Sequence, residues 1–529
     1  MSTPPDEAVA APADVGQSRR LARSTAIFSL ATGLSRVLGL VREIVARYYF
    51  GTVGAINAFE VAFLIPNTVR ALVADAALSS AFVPVFSDLL VKGERKRAWR
   101  VASSLFWLVL LGLSGITALF IVISPWIMRA FGYGSLGVGL SRVLFPIVVL
   151  LGLSGVVVGI LNSYEHFSVP ALTPVFWNVA IIAGLLIGIP HVNGTDHELY
   201  VYAFSILIAT AIQFLLPIPW LRGRDDRLHV VIDWRDPAVR RTLVLMVPIT
   251  IGLGLINFNA VVATFFAARL IDKNQAPSAI NAAFRLYMLP QGMFSVAVAT
   301  VLFPSLARLA SRADLDGFRT TVASGIRQIA FLLVPASVVC AVLAEPIVRV
   351  VYQRGDFTAD QTPATAGALA AFSLGLAFNG FMLMLNRAFF SLQTAWIPTW
   401  VALGNLGLNA ALNGAFYQLG IWGLPLATSV ANIAGACALL VLLRRRLGRL
   451  ELGQTSRTVA RVTSAGAVLA GVSYGLWWML ERGLGDSFGA ALVALLVALA
   501  GGLAAYLVSC RLLGVRELEA LLLLRRRPA

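Results

Sequence analysis

Four arginines lie inside apolar segments of the sequence, where charged side chains are costly. Arg36 and Arg42 belong to the first apolar segment, Arg70 to the second and Arg285 to the eighth. An arginine at the centre of a bilayer costs roughly 2.5–3.5 kcal/mol, so we expect these side chains to face a water-filled interior rather than lipid. Because a guanidinium presents paired donors that match phosphate oxygens, the pattern favours an anionic, phosphate-bearing ligand.

The spacing of the first two arginines indicates an extended ligand. Six positions separate Arg36 from Arg42, which on a helix corresponds to about 120° of rotation and roughly 9 Å of rise. Two contact points along a longer molecule fit this spacing better than a shared grip on one small group.

Two other interpretations of the arginines remain open. Arg42 and Arg70 would reach a membrane interface if their side chains extended along the helix, as we expect for Arg47 near the end of the first segment. Alternatively, the arginines would be neutralised by nearby carboxylates, for which the sequence offers Glu43, Glu60 and Asp75.

Asparagines form a polar stripe on one of the later segments. Asn405, Asn409 and Asn413 recur every four residues, and Asn257 lies on another apolar segment. The spacing places the three amides on one helix face, where hydrogen bonding between helices is the favoured interpretation. The alternative is a site for a monovalent coupling cation, built from Asn257, Asn405 and Asn409.

The sequence contains no motif of an enzyme or a metal site. It has no phosphate-binding loop, no nucleophile elbow and no His/Cys cluster with metal-ligand spacing. Its three cysteines all lie in apolar segments, which argues against a disulfide framework. We therefore predict a protein that is not an enzyme, has no metal or cofactor and is not driven by ATP bound to this chain.

Composition identifies the elements that must hold these side chains. Of 529 residues, 58% are hydrophobic and 13% charged, and the mean hydropathy is +0.81. Soluble domains contain about a quarter charged residues, so lipid is the expected solvent. Apolar windows of roughly 20 residues, enough for one helical crossing, recur from residue 24 to residue 510. We predict an all-α integral membrane protein with about fourteen transmembrane helices.

Basic residues are distributed unequally between the predicted loops. The formal net charge is +16, and Lys and Arg residues concentrate near the two termini and in alternate loops, around 92–100, 222–241, 308–319 and 444–461. Cytoplasmic loops of membrane proteins collect such residues, so we predict that both termini are cytoplasmic. This distribution accounts for the positive charge without a nucleic-acid partner.

Two stretches of the sequence share a pattern in the same order. Ala-Ile-Asn-Ala at 55–58 recurs at 279–282, and a proline follows nine residues after each asparagine, at Pro66 and Pro290. We predict two six-helix lobes, 24–221 and 240–443, related by a parallel internal repeat. Two additional helices at 458–510 lie outside the repeat, and tails at 1–23 (disordered) and 511–529 are cytoplasmic.

The N-terminal motifs resemble those of one known family. Residues 35–43 read Ser-Arg-Val-Leu-Gly-Leu-Val-Arg-Glu, and they are followed by Phe50-Gly51, Asn57-Ala58-Phe59, Ile65-Pro66-Asn67 and Ala81-Phe82-Val83-Pro84. This combination is similar to the MurJ (MviN) lipid II flippases, which belong to the superfamily of multidrug and polysaccharide exporters.

The resemblance implies a function and roles for individual residues. It implies alternating access in the bacterial cytoplasmic membrane, which moves the peptidoglycan precursor lipid II to the outer leaflet for cell-wall synthesis. Arg36, Arg42, Arg70, Arg285 and Asn57 would bind this substrate, and 458–510 would form a groove for its lipid tail. Membrane lipids and cell-wall synthesis proteins are the implied partners. A monovalent cation, or the membrane potential at about 2.3 kcal/mol for each charge per 100 mV, would drive transport.

Three positions depart from the pattern of the family. The family usually has Asp at the position of Asn57, Glu-Gly at the position of Asp75-Ala76 and an acidic residue at the position of Phe284. Because acidic residues are depleted while the arginines remain, either the coupling mechanism differs from that of the family or the chain exports another polyprenyl-pyrophosphate-linked glycan. A separate alternative is a non-transporting scaffold of the cell-wall machinery, which the cost of burying charge without a transport role disfavours.

Overall fold

The computed structural model describes residues 15–70, 77–164, 166, 168–394, 396–448, 452–485 and 487–518. Most of the two predicted tails and the Asp75-Ala76 pair therefore lie outside the described residues. The first helix begins at Val15, so residues 15–23 are helical and do not belong to a disordered tail. The physical reason is local, because this stretch is rich in Arg, Leu, Ala and Gln, which are good helix formers.

Within the described ranges the chain folds into α-helices joined by short turns, and no strand occurs. This confirms the predicted all-α class. The α-helices, in chain order, are α1 (Val15–Phe50), α2 (Ile56–Arg70), α3 (Ala77–Val91), α4 (Arg95–Ala130), α5 (Ser135–Leu144), α6 (Ile147–Ser163), α7 (Ser168–Gly188), α8 (Thr195–Leu215), α9 (Pro237–Phe266), α10 (Ala276–Pro290), α11 (Val296–Ser311), α12 (Leu315–Val342), α13 (Ala344–Tyr352), α14 (Thr362–Ser373), α15 (Leu376–Ser391), α16 (Trp396–Phe416), α17 (Gly423–Leu447), α18 (Leu452–Leu484) and α19 (Phe488–Leu512).

The helices that can cross a membrane are fewer in the described residues than the sequence predicts. Nine are long and apolar enough, and a tenth span arises if α14 and α15, which are bent by 42° at their junction, are counted together. Charged side chains interrupt the apolar stretch of α1, and three asparagines lower the apolarity of α16. Residues 71–76 of the second predicted span lie outside the described residues. The multi-span helical class is confirmed, and the number fourteen is not.

Two separate hydrophobic cores divide the helices into two groups. The first core extends from Ala46 to Ala268 and the second from Ala282 to Leu447. We refer to α1–α8 as the first half and to α9–α17 as the second half. The first helix of each half also reaches the other core, because α9 contributes Val239 to the first core and α1 packs Leu40 against the second.

The last two helices are attached to the second half. Residues of α18 and α19 share small cores with α12 and α13. The hydroxyl of Tyr506 donates a hydrogen bond to the main-chain oxygen of Phe331 at 2.7 Å, and Arg349 pairs with Glu481 at 2.8 Å. These contacts join α18 and α19 to the second half.

Candidate functional site

One face of α10 carries polar contacts between the two halves. Ser278, Asn281 and Arg285 are spaced by three and four residues and therefore lie on one side of the helix. Gly292, seven residues beyond Arg285, lies in the π-helical turn Gln291–Ser295 that follows α10. We call these four residues the α10 seam, and each of them meets a polar side chain of the first half.

Asn57 joins the two halves at the first residue of the seam. Its side-chain oxygen accepts a hydrogen bond at 2.9 Å from the main-chain N–H of Ser278. Its amide nitrogen donates to the main-chain oxygens of Thr52, Gly54 and Asn274. Since the side chain is 0% exposed and both of its ends are bonded, Asn57 connects the halves in this conformation and does not face a cavity.

Asn281 makes a second contact of the same kind in the opposite direction. Its amide nitrogen donates to the carboxylate of Glu60 on α2. Asn57 and Asn281 occupy matching positions in the Ala-Ile-Asn-Ala pattern. Each asparagine therefore reaches from its own half into the other half.

Arg47 lies between these two contacts and is fully buried. Its guanidinium pairs with Glu43 at 2.7 Å and with Glu60 at 2.7 Å. It also donates to the main-chain oxygen of Gly51 at 3.2 Å and to the hydroxyl of Ser278. With a side-chain exposure of 2%, Arg47 is not the interfacial anchor expected from its place near the end of α1. Two buried carboxylates hold it inside the protein.

Arg42 and Arg285 approach the same carboxylate from the two halves. Arg42 lies 4.0 Å and Arg285 3.9 Å from the second oxygen of Glu43, which is beyond hydrogen-bonding distance. The Nε atoms of both arginines are buried and have no hydrogen-bond acceptor within the described residues. Both guanidinium groups can therefore still donate hydrogen bonds to a further acceptor.

The charges of this cluster do not cancel. Three arginines (Arg42, Arg47 and Arg285) against two glutamates (Glu43 and Glu60) leave one net positive charge. The carboxylates are therefore shared, and the arginines are not each locked to a carboxylate of their own. An anionic ligand would complete the balance.

Aromatic side chains enclose the cluster on the side of the first half. The guanidinium of Arg42 lies over the ring of Trp177, 4.8 Å from its centre, and the indole N–H donates to the hydroxyl of Thr210 at 3.1 Å. The cavity that remains between Arg42, Arg285 and these rings has a volume of about 20 Å³. Because a water molecule needs roughly 10–15 Å³, this pocket has room for a single water, while the side chain of Arg285 is 37% exposed outside it.

The other two predicted arginines lie apart from the cluster. Arg36 is exposed, and its guanidinium rests against Gly292, where an added Cβ atom would lie 2.6 Å from Nη1. It therefore extends the α10 seam beyond Arg285. Arg70 is the last residue of α2 and is partly buried. Thus Arg42 and Arg285 meet at Glu43 between the halves, and Arg36 contacts the second half separately, at Gly292.

The two halves also contact each other through their main chains, at the ends of the helices that are predicted to face outward. The main-chain N–H of Asp356 donates to the oxygen of Tyr48 at 2.8 Å. The main-chain N–H of Thr52 donates to the side-chain oxygen of Gln361 at 2.6 Å. Gly51 and Gly355 both have positive φ, and a Cβ atom on Gly355 would collide with the main chain of Tyr48. The backbones thus pack directly against each other at this end.

The asparagine stripe of α16 faces α17. Asn409 is 2% exposed and donates to the hydroxyl of Thr428 at 3.3 Å, and Asn413 donates to Asn409 at 3.0 Å. The side-chain oxygen of Asn405 is buried and has no donor among the described residues. Hydrogen bonding between helices therefore accounts for Asn409. Asn257 lies on α9, which packs against α16. Within the described ranges no group of His, Cys, Asp and Glu residues could hold a metal ion.

Comparison of the sequence with known proteins finds one family over most of the chain. The family model described as lipid II flippase MurJ matches residues 46–497. A Vibrio cholerae protein named "Probable lipid II flippase MurJ" is 32% identical over 530 residues, covering 95% of this chain and 98% of that protein. The lipid II flippase MurJ of Burkholderia cenocepacia is 30% identical over 460 residues, covering 84% of this chain and 87% of that protein.

Solved structures with the same fold include a lipid II flippase and a multidrug transporter. A lipid II flippase MurJ in an inward closed conformation superimposes with a TM-score of 0.76 at 24% identity, covering 92% of this chain and 99% of that one. An inward-facing multidrug resistance transporter of the MATE family gives a TM-score of 0.65 at 19% identity, covering 80% and 95%. At these identities the similarity concerns the fold alone.

Proposed function

The chain belongs to the MurJ family of lipid II flippases, and we propose that it carries lipid II from the inner to the outer leaflet of the cytoplasmic membrane. It acts as a transporter and catalyses no chemical reaction. The substrate joins a glycan to a polyprenyl tail through a diphosphate, and this diphosphate is the group that Arg42 and Arg285 would bind.

The geometry of Arg42 and Arg285 carries this proposal. One arginine comes from each half, both face the same oxygen of Glu43 at 4.0 and 3.9 Å, and both have an unsatisfied buried Nε. A diphosphate between them would supply the acceptors that they lack, and paired N–H groups suit phosphate oxygens. A ligand that contacts both halves also stabilises the conformations in which the two halves are close enough to bind it at the same time.

Transport requires a cavity larger than the one present here. The cluster leaves about 20 Å³, so the halves must separate before a diphosphate enters. The outward ends of the helices are held by main-chain contacts such as Asp356 to Tyr48 at 2.8 Å, and this supports opening of the cytoplasmic side first. Arg36 beside Gly292, and Arg70 at the end of α2, would then be further contact points for the substrate on its way in.

The finer architecture belongs to the same proposal. The two halves are six-span lobes related by a parallel repeat, and the protein crosses the membrane about fourteen times with both termini cytoplasmic. The reciprocal contacts of Asn57 and Asn281 support the repeat. α18 and α19 pack on α12 and α13 beside the second half, where they would line a groove for the polyprenyl tail.

The driving force is the membrane potential, alone or with a monovalent cation. A potential that is negative inside favours outward movement of an anion by about 2.3 kcal/mol for each charge per 100 mV. The side-chain oxygen of Asn405 is buried and has no donor among the described residues, and α16, which also carries Asn409, packs against α9, which carries Asn257; both observations support a cation site between these helices. A cation role predicts that Asn405→Ala lowers the cation dependence of transport while transport driven by an imposed potential persists.

Flipping in proteoliposomes tests the proposed function. Protein with the native sequence should move lipid II between leaflets faster than it moves other polyprenyl-linked glycans, and Arg285→Ala should reduce the rate to that of protein-free vesicles. Preference for another glycan would make the protein an exporter of that lipid. No movement of any of these lipids, in protein shown to be folded, would contradict a transport function.

A further inference from the structure

Glu43 is the only carboxylate that both Arg42 and Arg285 approach within 4.0 Å among the described residues. If Glu43 paired closely with either arginine, it would occupy the donors that a phosphate needs. The structure therefore poses the question of what keeps this carboxylate at a distance from them.

The two oxygens of Glu43 have different partners. The first oxygen accepts hydrogen bonds from Nε and Nη2 of Arg47, at 2.9 and 2.7 Å. The second oxygen is the one that lies 4.0 Å from Arg42 and 3.9 Å from Arg285. Charge-assisted hydrogen bonds of about 2.7–2.9 Å are the strong ones, so Glu43 is committed to Arg47.

Arg47 is itself fixed by contacts from both halves. Glu60 on α2 accepts a hydrogen bond from its Nη2 at 2.7 Å, and Ser278 on α10 accepts one from its Nη1. Glu43 precedes Arg47 by four residues on α1, a spacing that brings acid and base together on one helix face. With 2% side-chain exposure, Arg47 is inaccessible to a substrate in this conformation, so its role is not direct binding.

We propose that Arg47 is a positioning residue that captures Glu43 and thereby keeps Arg42 and Arg285 free to bind the diphosphate. This inference rests on the proposed function of the cluster. In the absence of Arg47, the nearest guanidinium groups to Glu43 are those of Arg42 and Arg285, and the carboxylate becomes an internal competitor of the substrate. Arg47 therefore acts on affinity through Glu43.

Binding of undecaprenyl diphosphate to the purified full-length protein in detergent tests the inference. Arg47→Met should weaken binding at least tenfold, because Glu43 then neutralises the binding arginines. Adding Glu43→Gln to Arg47→Met should restore the affinity to within about threefold of native protein, because the competing charge is gone. Glu43→Gln alone, which leaves no unpaired carboxylate at position 43, should bind as tightly as native protein or more tightly.

Two further variants separate positioning from general structure. Arg47→Lys keeps the charge near Glu43 and should retain more affinity than Arg47→Met. Arg269→Met provides a matched control, since Arg269 also bridges the halves, through the main-chain oxygens of Arg129 and Ala130, but contacts no carboxylate among the described residues. It should bind as native protein does.

The outcomes distinguish this inference from the function on which it rests. Native binding by Arg47→Met, or failure of Glu43→Gln to restore a folded Arg47→Met protein, would overturn the role of Arg47 while leaving the proposed function intact. A native protein that does not bind the diphosphate would overturn both. If Arg47→Met does not fold, a loss of affinity in Glu43→Gln alone contradicts the competition between Glu43 and the substrate.

Discussion

The side-chain oxygen of Asn57 in the first half accepts a hydrogen bond at 2.9 Å from the main-chain N–H of Ser278 in the second half. Ser278 lies in the first turn of α10, whose N–H groups have no partner within the helix. Gln275, which directly precedes α10, provides no side-chain cap. Asn57 therefore caps a helix of the other half, and the cap stabilises α10 only while the halves are together at this end.

This contact makes Asn57→Asp a test of how the outward end closes. The amide of Asn57 donates to three main-chain oxygens, and an ionised carboxylate would oppose all three. A protonated carboxyl can still donate one hydrogen bond and accept from Ser278. We therefore expect the outward end of the variant to stay closed at low pH. As pH rises, the closed arrangement should become less stable by about 1–3 kcal/mol.

Cross-linking measures this change directly. In a background without the native cysteines, Val53→Cys and Lys273→Cys flank Gly54 and Asn274, whose main chains are joined by a 2.7 Å hydrogen bond. As pH rises, the disulfide yield of the Asn57→Asp variant should fall relative to that of the same cysteine pair with Asn57. The exposed control Asn193→Asp should leave the disulfide yield unchanged. The same cysteine pair with Asn57 supplies the baseline at each pH, because it carries every other titratable group unchanged. A yield in Asn57→Asp that follows this baseline would refute the capping role.

Gly292 provides a test of Arg36. An added Cβ at Gly292 would lie 2.6 Å from Nη1 of Arg36, so a bulky side chain there must displace the guanidinium. We expect Gly292→Val to reduce lipid II flipping severalfold without lowering the amount of protein in the membrane. Gly112→Val on α4, where the space is open, should have no effect. Equal flipping by both variants would mean that the position of Arg36 does not matter.

Trp177 is expected to support substrate binding through Arg42. A cation–π contact contributes about 0.5–2 kcal/mol, so Trp177→Leu should weaken diphosphate binding by roughly 2-fold to 30-fold. Trp177→Phe keeps an aromatic face and should lose less. Trp400→Leu, an exposed tryptophan on α16, serves as the control. An affinity of Trp177→Leu equal to that of the control would show that the ring contributes nothing.

The sequence predicts the class of the protein better than the details of its site. Apolar windows identify the membrane helices, and Arg36, Arg42 and Arg285 stand out because charge is costly in lipid. The number of crossings is harder to predict, since the charges of α1 and the break between α14 and α15 interrupt apolarity. The sequence alone does not show whether such an interruption is a kink within one helix or a loop between two helices.

The role of Arg47 could be predicted only in part. Its spacing of four from Glu43 is a recognisable helical pair. Its other partners, Glu60 and Ser278, lie 13 and 231 positions away, and only the folded arrangement brings them to it. The contact of Asn57 is equally hard to predict, because its partner Ser278 lies in the other half, 221 positions away.

The most direct test of the account is a double-mutant cycle on Arg42 and Arg285, measured as the affinity of the purified protein for undecaprenyl diphosphate, with undecaprenyl monophosphate for comparison. If both arginines hold one diphosphate, Arg42→Gln and Arg285→Gln will each weaken binding, and the double variant will lose less than the sum of the two, with a coupling of about 0.5–3 kcal/mol. The native preference for diphosphate over monophosphate should shrink in each variant. Independent, fully additive losses, or affinities unchanged from the native protein, would contradict a shared diphosphate site between the halves.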